Sequence, residues 1–146
     1  MREIKISELS IGDWVEIDDF NKVLIKRVSA IDGTRNKIGI IKNNRGSIYR
    51  YCEDEISPIP LTPEILEKNG FDAPKAKVWN DSWYWSNRKD AALELRESFG
   101  VWYMEIVTKE QRSGLQSNRT LGVGFKWVHQ LQHALRLAGI EKEIEV

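Results

Sequence analysis

The sequence predicts an α+β protein in two parts: a small all-β part, then an antiparallel sheet packed on one C-terminal helix. Three observations carry this. Residues 1–60 hold short β-rich runs broken by glycine and asparagine turns; Pro58 and Pro60 interrupt that pattern; and from Trp127 the apolar spacing changes from alternation to a helical period. The parts divide as 1–60, a connector helix and linker over 61–76, and a sheet-plus-helix domain over 77–146.

In the first part, Ile11-Gly12-Asp13-Trp14-Val15-Glu16-Ile17 alternates apolar and polar residues after a glycine turn. Val23-Leu24-Ile25 and Val28 follow, then a turn at Asp32-Gly33, then Ile38 to Ile41 and Ile48 to Cys52 on either side of Asn43-Asn44-Arg45-Gly46. The Gly12-Asp13-x-Val15 opening followed by these closely spaced runs resembles the small SH3-like β-barrels of KOW and Tudor modules. That resemblance covers residues 1–60 and implies a fold, not an activity.

The connector has complete helix punctuation. Thr62 is a good N-cap, Pro63 fits the first helical position, and Gly70 after Asn69 suits a left-handed C-terminal residue. Leu61 and Leu66 are spaced to form a hydrophobic staple. Beyond it, Trp83 and Trp85, Leu93 and Leu95, Trp102 with Met104 and Ile106, and Leu121 with Val123, Phe125 and Trp127 each alternate, which predicts four strands with one buried face. Ser98-Phe99-Gly100 is a tight connection, and Thr108 to Thr120 reads as a long polar loop carrying Lys109, Arg112 and Arg119. Over 127–138 the residues Trp127, Leu131, Ala134, Leu135 and Ala138 make one helical stripe, Gly139 ends the helix, and Ile140 to Val146 is expected to add an edge strand.

Composition fits a folded chain of 146 residues: 41% apolar and 30% charged, with six Trp, four Tyr and four Phe. No apolar run approaches the ~18 residues that would span a bilayer, and the N-terminus lacks a signal-peptide apolar region, so a cytoplasmic setting without a membrane partner is expected. The single cysteine, Cys52, agrees with a reducing compartment, and Glu53, Asp54 and Glu55 beside it disfavour a reactive thiolate. Zero net charge conceals asymmetry. Residues 1–19 carry −4, residues 20–50 carry +7, residues 51–76 carry −4 and residues 77–146 carry +1.

That basic segment is the first candidate site. Lys22, Lys26, Arg27, Lys42, Arg45 and Arg50, with Tyr49 and Tyr51 interleaved, combine phosphate attraction with stacking surface, a mixture suited to single-stranded nucleic acid or a small nucleotide, cyclic nucleotides included. The competing reading makes the cations the solvated face of strands whose other face is the core. A second candidate surface is Tyr103, Gly122, Gly124 and Lys126: the two glycines either mark a bulged strand or leave a bare place where a ligand packs. Trp83, Trp85, Trp102 and Trp127 fall on the core face, whereas Trp14 and Trp79 have no assigned place.

His129 and His133 have the i,i+4 spacing of a helical metal pair, but Gln130 replaces the glutamate of a zincin, and the wheel puts both opposite the apolar stripe beside Arg136. They are therefore expected to face solvent or a partner, with no metal site. Asp18-Asp19 and Glu53-Asp54-Glu55 are expected to be solubilising charge. No nucleophile elbow, P-loop, zinc ribbon or kinase signature occurs, so neither catalytic residues nor a cofactor is assigned.

The run Lys126-Trp127-Val128-His129-Gln130-Leu131-Gln132 resembles a motif of small proteins from gut Bacteroidetes and their phages or mobile elements. The resemblance implies a genomic setting and no particular chemistry. The reading that follows is a non-enzymatic binding or interaction protein with a protein partner, a second copy of the chain included. Nucleic-acid or nucleotide binding through residues 22–50 is the alternative, and an enzyme of unrecognised type is third.

Overall fold

The computed structural model describes residues 4–74, 82–86, 91–109, 116–120 and 124–146. Among the described residues the chain is mostly β, with three antiparallel sheets of three, four and three strands, a short helix, and a C-terminal helix. It divides into two compact units, Met1–Pro60 with Trp127–His133, and Leu61–Lys126 with Ala134–Val146. Among the described residues no helix is long and apolar enough to cross a membrane.

In the first unit, β1 (Trp14–Asp19) pairs with β2 (Lys22–Arg27) through a two-residue turn, and on its other side with β6 (Ile56–Pro58). Strand β4 (Lys37–Ile41) lies between β3 (Ala30–Asp32) and β5 (Ile48–Cys52). The chain passes from one sheet to the other at Val28 and Ser29. The Val28 N–H donates to the Asp13 carbonyl at 2.8 Å, and the next N–H, Ser29, donates to the Gly39 carbonyl of the second sheet at 2.8 Å. A 3-10 turn over Glu53–Glu55 links β5 to β6. The expectation of a closed barrel is corrected here: β5 bonds only to β4 and β6 only to β1, so the strands form two three-stranded sheets with no hydrogen-bonded seam closing them. Val15, Ile17, Ile38, Ile40, Tyr51 and Ile56 are buried together with Ile4, Ile6 and Leu9, as strand alternation requires.

The second unit starts with α1 (Pro63–Lys68), where the Thr62 hydroxyl accepts from the Ile65 N–H at 3.4 Å and Gly70 takes φ +79°. Leu61 and Leu66 are both buried. The four-stranded sheet runs in the order β10 (Gln116–Thr120), β9 (Val101–Lys109), β8 (Ala91–Ser98), β7 (Trp83–Ser86). Leu93 opposite Ile106 and Leu95 opposite Met104 form the buried face. Trp102 is buried too, its indole N–H donating to the Leu61 carbonyl at 3.1 Å. Trp83 and Trp85 are only half-buried, and Trp79 lies outside the described residues.

Three expectations change in this unit. The segment read as a polar loop from Thr108 to Thr120 contains strand at both ends, because an outer strand such as Gln116–Thr120 can pair through its backbone without the apolar alternation that announces a half-buried strand. Among the described residues the fourth strand is Gln116–Thr120; of the expected strand Leu121 to Trp127, residues 121–123 lie outside the described residues, and Phe125 and Trp127 make isolated bridges to Trp102 and Pro60. Ile140 to Val146 forms no strand. The Asn69 side chain stands in for a neighbouring strand, accepting from the Glu145 N–H at 2.8 Å and donating to the Glu145 carbonyl at 2.7 Å, while Ile144 is fully buried. Lys142 places its ammonium 4.9 Å from the Trp85 ring centroid, and burial lowers its pKa.

Helix α2 (Val128–Leu137) serves both units, the first with residues 128–133 and the second with 134–137. Val128, Leu131 and Leu135 are buried as the period demands, but so are His129 and Gln132. The expectation that both histidines face solvent is thereby corrected for His129.

Candidate functional site

The basic segment converges on one hub. Lys42, at the end of β4, donates to Asp19 Oδ2 at 2.8 Å, and its ammonium lies 4.5 Å from the Tyr49 ring centroid and 5.2 Å from that of Tyr51. The Tyr51 hydroxyl donates to the other Asp19 oxygen at 3.3 Å. The hydrogen bond from Lys42 holds the Asp19 carboxyl below its ordinary pKa, and Asp19 in turn raises that of Lys42. A phosphate would have to share or displace Asp19 at this ammonium, so its net gain there is smaller than at an unpaired lysine. Arg50 reaches Asp32 at 3.4 Å, and the Arg27 guanidinium stacks 4.7 Å from the Trp14 ring centroid, which also settles the place of Trp14. Lys22 and Arg45 are exposed, and Lys26 is half-buried. The sequence-predicted residues thus come together only in part, and the structure spends much of their charge internally.

Several large apolar residues near the hub in sequence are exposed: Phe20, after Asp19, at 95%, and Tyr49, against Lys42, at 43%. Ile41 and Ile48, each about half exposed, pair with one another on the sheet face opposite Tyr49 and Tyr51. Gly39 makes room for Ile48, since a Cβ there would stand 2.7 Å from Ile48 Cγ2. Phe20 and Asn21 form the β1–β2 turn with φ of 45° and 76°. A type I′ turn needs positive φ at both positions and favours Asn-Gly, so Phe at its first position is a strained choice.

Sequence reasoning missed a second site. The helix face carrying His129, Gln130 and His133 and the segment Ser7–Ser10 enclose a cleft of about 450 Å³. His133 places Nε2 2.6 Å from Asp13 Oδ2, and this fully buried carboxylate also accepts the Ser10 N–H at 2.7 Å. Gln132 binds the start of β1 with both ends of its amide, accepting from the Trp14 N–H at 3.2 Å and donating to the Gly12 carbonyl at 3.2 Å. His129 is 1% exposed, and burial lowers its pKa to about 4, so it is neutral at physiological pH. Its Nδ1 is buried without a hydrogen-bond partner. The i,i+4 histidine spacing was the legible signal; the burial that gives it meaning was not.

At the second candidate surface, a Cβ on Gly124 would stand 2.3 Å from Val101 Cγ1 and 3.1 Å from Tyr103 Cε1. That glycine admits neighbours of its own chain. Lys126 is half-buried with its carbonyl accepting from the Leu61 N–H at 2.8 Å, and Gly122 lies outside the described residues.

Cys52, Asp54 and Glu55 bring three potential ligand atoms within 4.8 Å of one another. The arrangement has a local cause: the Glu55 carboxylate accepts the Cys52 N–H at 2.7 Å, closing a capping box over the 3-10 turn, and Glu53 accepts the Ile6 N–H at 2.8 Å. These acidic residues are therefore fasteners of a turn rather than the strand-edge charge expected of them. Comparison with protein families, with curated proteins and with solved structures gives no match to this chain.

Proposed function

We propose that this chain is a non-enzymatic binding protein whose first unit docks another protein through an apolar rim of exposed residues, Phe20, Ile41, Ile48 and Tyr49. The observation that carries this reading is that these four large apolar residues are exposed, with Ile41 and Ile48 paired across β4 and β5. Desolvating such residues favours an apolar partner surface, and the adjacent Ile41 and Ile48 form an exposed apolar pair of the kind found at interaction sites. Nucleic acid is the less supported ligand, because Lys42 and Arg50 are paired with Asp19 and Asp32.

The order of strands, with a chain that bends from the first sheet into the second and a 3-10 turn before the last strand, supports reading the first unit as an SH3-like arrangement left open between its two sheets. With the Lys126 to Gln132 resemblance, it is consistent with a small cytoplasmic protein of a bacterial phage or mobile element acting on a protein of its host.

The test separates the two ligand classes. Wild type, Ile48→Asp with Tyr49→Ser, and Lys22→Glu with Arg45→Glu are used to isolate partners from the bacterial host, and each is titrated with single-stranded DNA, RNA and cyclic dinucleotides at low salt. A protein partner retained by the charge variant and lost by the rim variant supports the reading. Salt-sensitive nucleic-acid binding abolished by the charge variant would replace it.

A further inference from the structure

We propose that the outer edge of β2 (Lys22–Arg27) is a docking site for an extended acidic segment of another protein, which alternates carboxylates with β-branched residues and joins the first sheet as an added antiparallel strand.

The first support is backbone left unpaired. Strand β2 ends its sheet, in the order β2-β1-β6, and at six residues it is the longest sheet-edge strand among the described residues. Hydrogen bonds in an antiparallel pair alternate along each strand. Val28 continues the ladder, its N–H donating to the Asp13 carbonyl at 2.8 Å, so the even-numbered residues of β2 bond to β1. The N–H and C=O groups of Val23 and Ile25 therefore point away from β1. Among the described residues no backbone group of another element bonds to them.

The second is the apolar surface beside those groups. Val23 is 65% exposed and Ile25 47%, both on one face of the strand, while Leu24 on the other face packs against the core. The edge holds no proline, and its register with β1 runs without a bulge. Such an edge is a template for strand addition, in which main-chain bonds give affinity and alternate side chains give selectivity.

The third is charge, which names the occupant. Residues 22–27 hold Lys22, Lys26 and Arg27 and no acid. The strand already paired with β2 mixes acidic and apolar residues, setting Asp19 opposite Lys22, Asp18 opposite Val23 and Glu16 opposite Ile25. An incoming strand that alternates the two kinds lays carboxylates along Lys22 and Lys26 and apolar side chains along Val23 and Ile25. A second copy of β2 is a poor fit. Centring the antiparallel pair on Leu24 sets Lys22 against Lys26 at both ends, and centring it on Ile25 leaves every cation without a carboxylate opposite. The edge acts independently of the rim at Ile41, Ile48 and Tyr49.

The experiment uses the full chain, followed by amide NMR, and a peptide with blocked ends, Glu-Glu-Val-Thr-Val-Glu-Glu. Without peptide, the amides of Val23 and Ile25 should exchange fast and those of Leu24 and Lys26 slowly. At low salt the peptide should shift the Val23 and Ile25 resonances and slow their exchange at least about 10-fold. The same peptide with lysine for glutamate, or N-methylated at both valines, should bind at least about 10-fold more weakly. Lys22→Glu with Lys26→Glu, first shown to be folded by thermal unfolding, should weaken the acidic peptide to a similar degree. Ile48→Asp with Tyr49→Ser should bind it as wild type does, which separates failure of this edge from failure of the rim. Val23 and Ile25 amides already protected in the free chain, protection that grows with chain concentration alone, equal binding of the lysine peptide, loss of binding in the rim variant, or no binding of the acidic peptide would each overturn the proposal.

Discussion

Asp13 and His133, 120 residues apart in sequence, meet at 2.6 Å. The contact ties the turn before β1 to the first half of α2 and buries a carboxylate completely. Together with the two amide bonds of Gln132 it makes residues 127–133 part of the first unit.

A fragment ending at residue 60 should therefore fold poorly. It lacks Gln132 and His133, so the Trp14 N–H, the Gly12 carbonyl and the Asp13 carboxylate lose their partners from the helix. The expected outcome is a poorly dispersed amide spectrum for the 1–60 fragment. A dispersed spectrum with a cooperative melt would show that the helix is dispensable to this unit.

Gln132→Ala should destabilise the full chain by about 1–3 kcal/mol, the range for leaving a part-buried donor and acceptor unpaired. Leu131→Ala at the fully buried neighbouring position should lose about 2–5 kcal/mol through its cavity. Urea midpoints with unchanged slopes give both values.

Stability should fall with acid because of His129. Its folded pKa of about 4 lies below the unfolded value near 6.5, so the unfolded state binds the proton first. The stabilisation is fully present above about pH 6.5 and is lost as pH falls toward about 4, amounting to at most about 3 kcal/mol. Wild type and His129→Gln should differ in the pH dependence of their urea midpoints across that window. Parallel curves would remove His129 as the cause.

Phe20→Asn should raise stability by about 0.5–1 kcal/mol by relieving positive φ at a turn position that asparagine tolerates. Phe99, at φ 52° and fully exposed in the β8–β9 turn, is the matched control in the second unit. Both substitutions should raise the melting temperature, and only Phe20→Asn should weaken the protein partner.

Lys42→Glu should lower the melting temperature, since it sets a carboxylate against Asp19 where an ion pair stood. Lys22→Glu, on an exposed side chain, should leave it nearly unchanged.

Local rules reached a good part of this protein. Alternation in Trp14 to Ile17 and in Trp102 to Ile106, the Thr62-Pro63 start and Gly70 stop of α1, and the period of Val128 to Leu137 each concern groups close in the chain, where backbone geometry alone fixes which side chains share a face. The tertiary structure decided the rest. A helical wheel assumes one buried side, yet the turn before β1 packs on a second side of α2, where Gln132 bonds to Trp14 and Gly12 and His133 to Asp13, and His129 is buried where the wheel left it wet. A count of basic residues assumes each is available, and Asp19 and Asp32 claim Lys42 and Arg50 across the sheets. Both outcomes depend on groups distant in sequence arriving within about 3 Å of one another, the range over which hydrogen bonds act and which no spacing along the chain encodes.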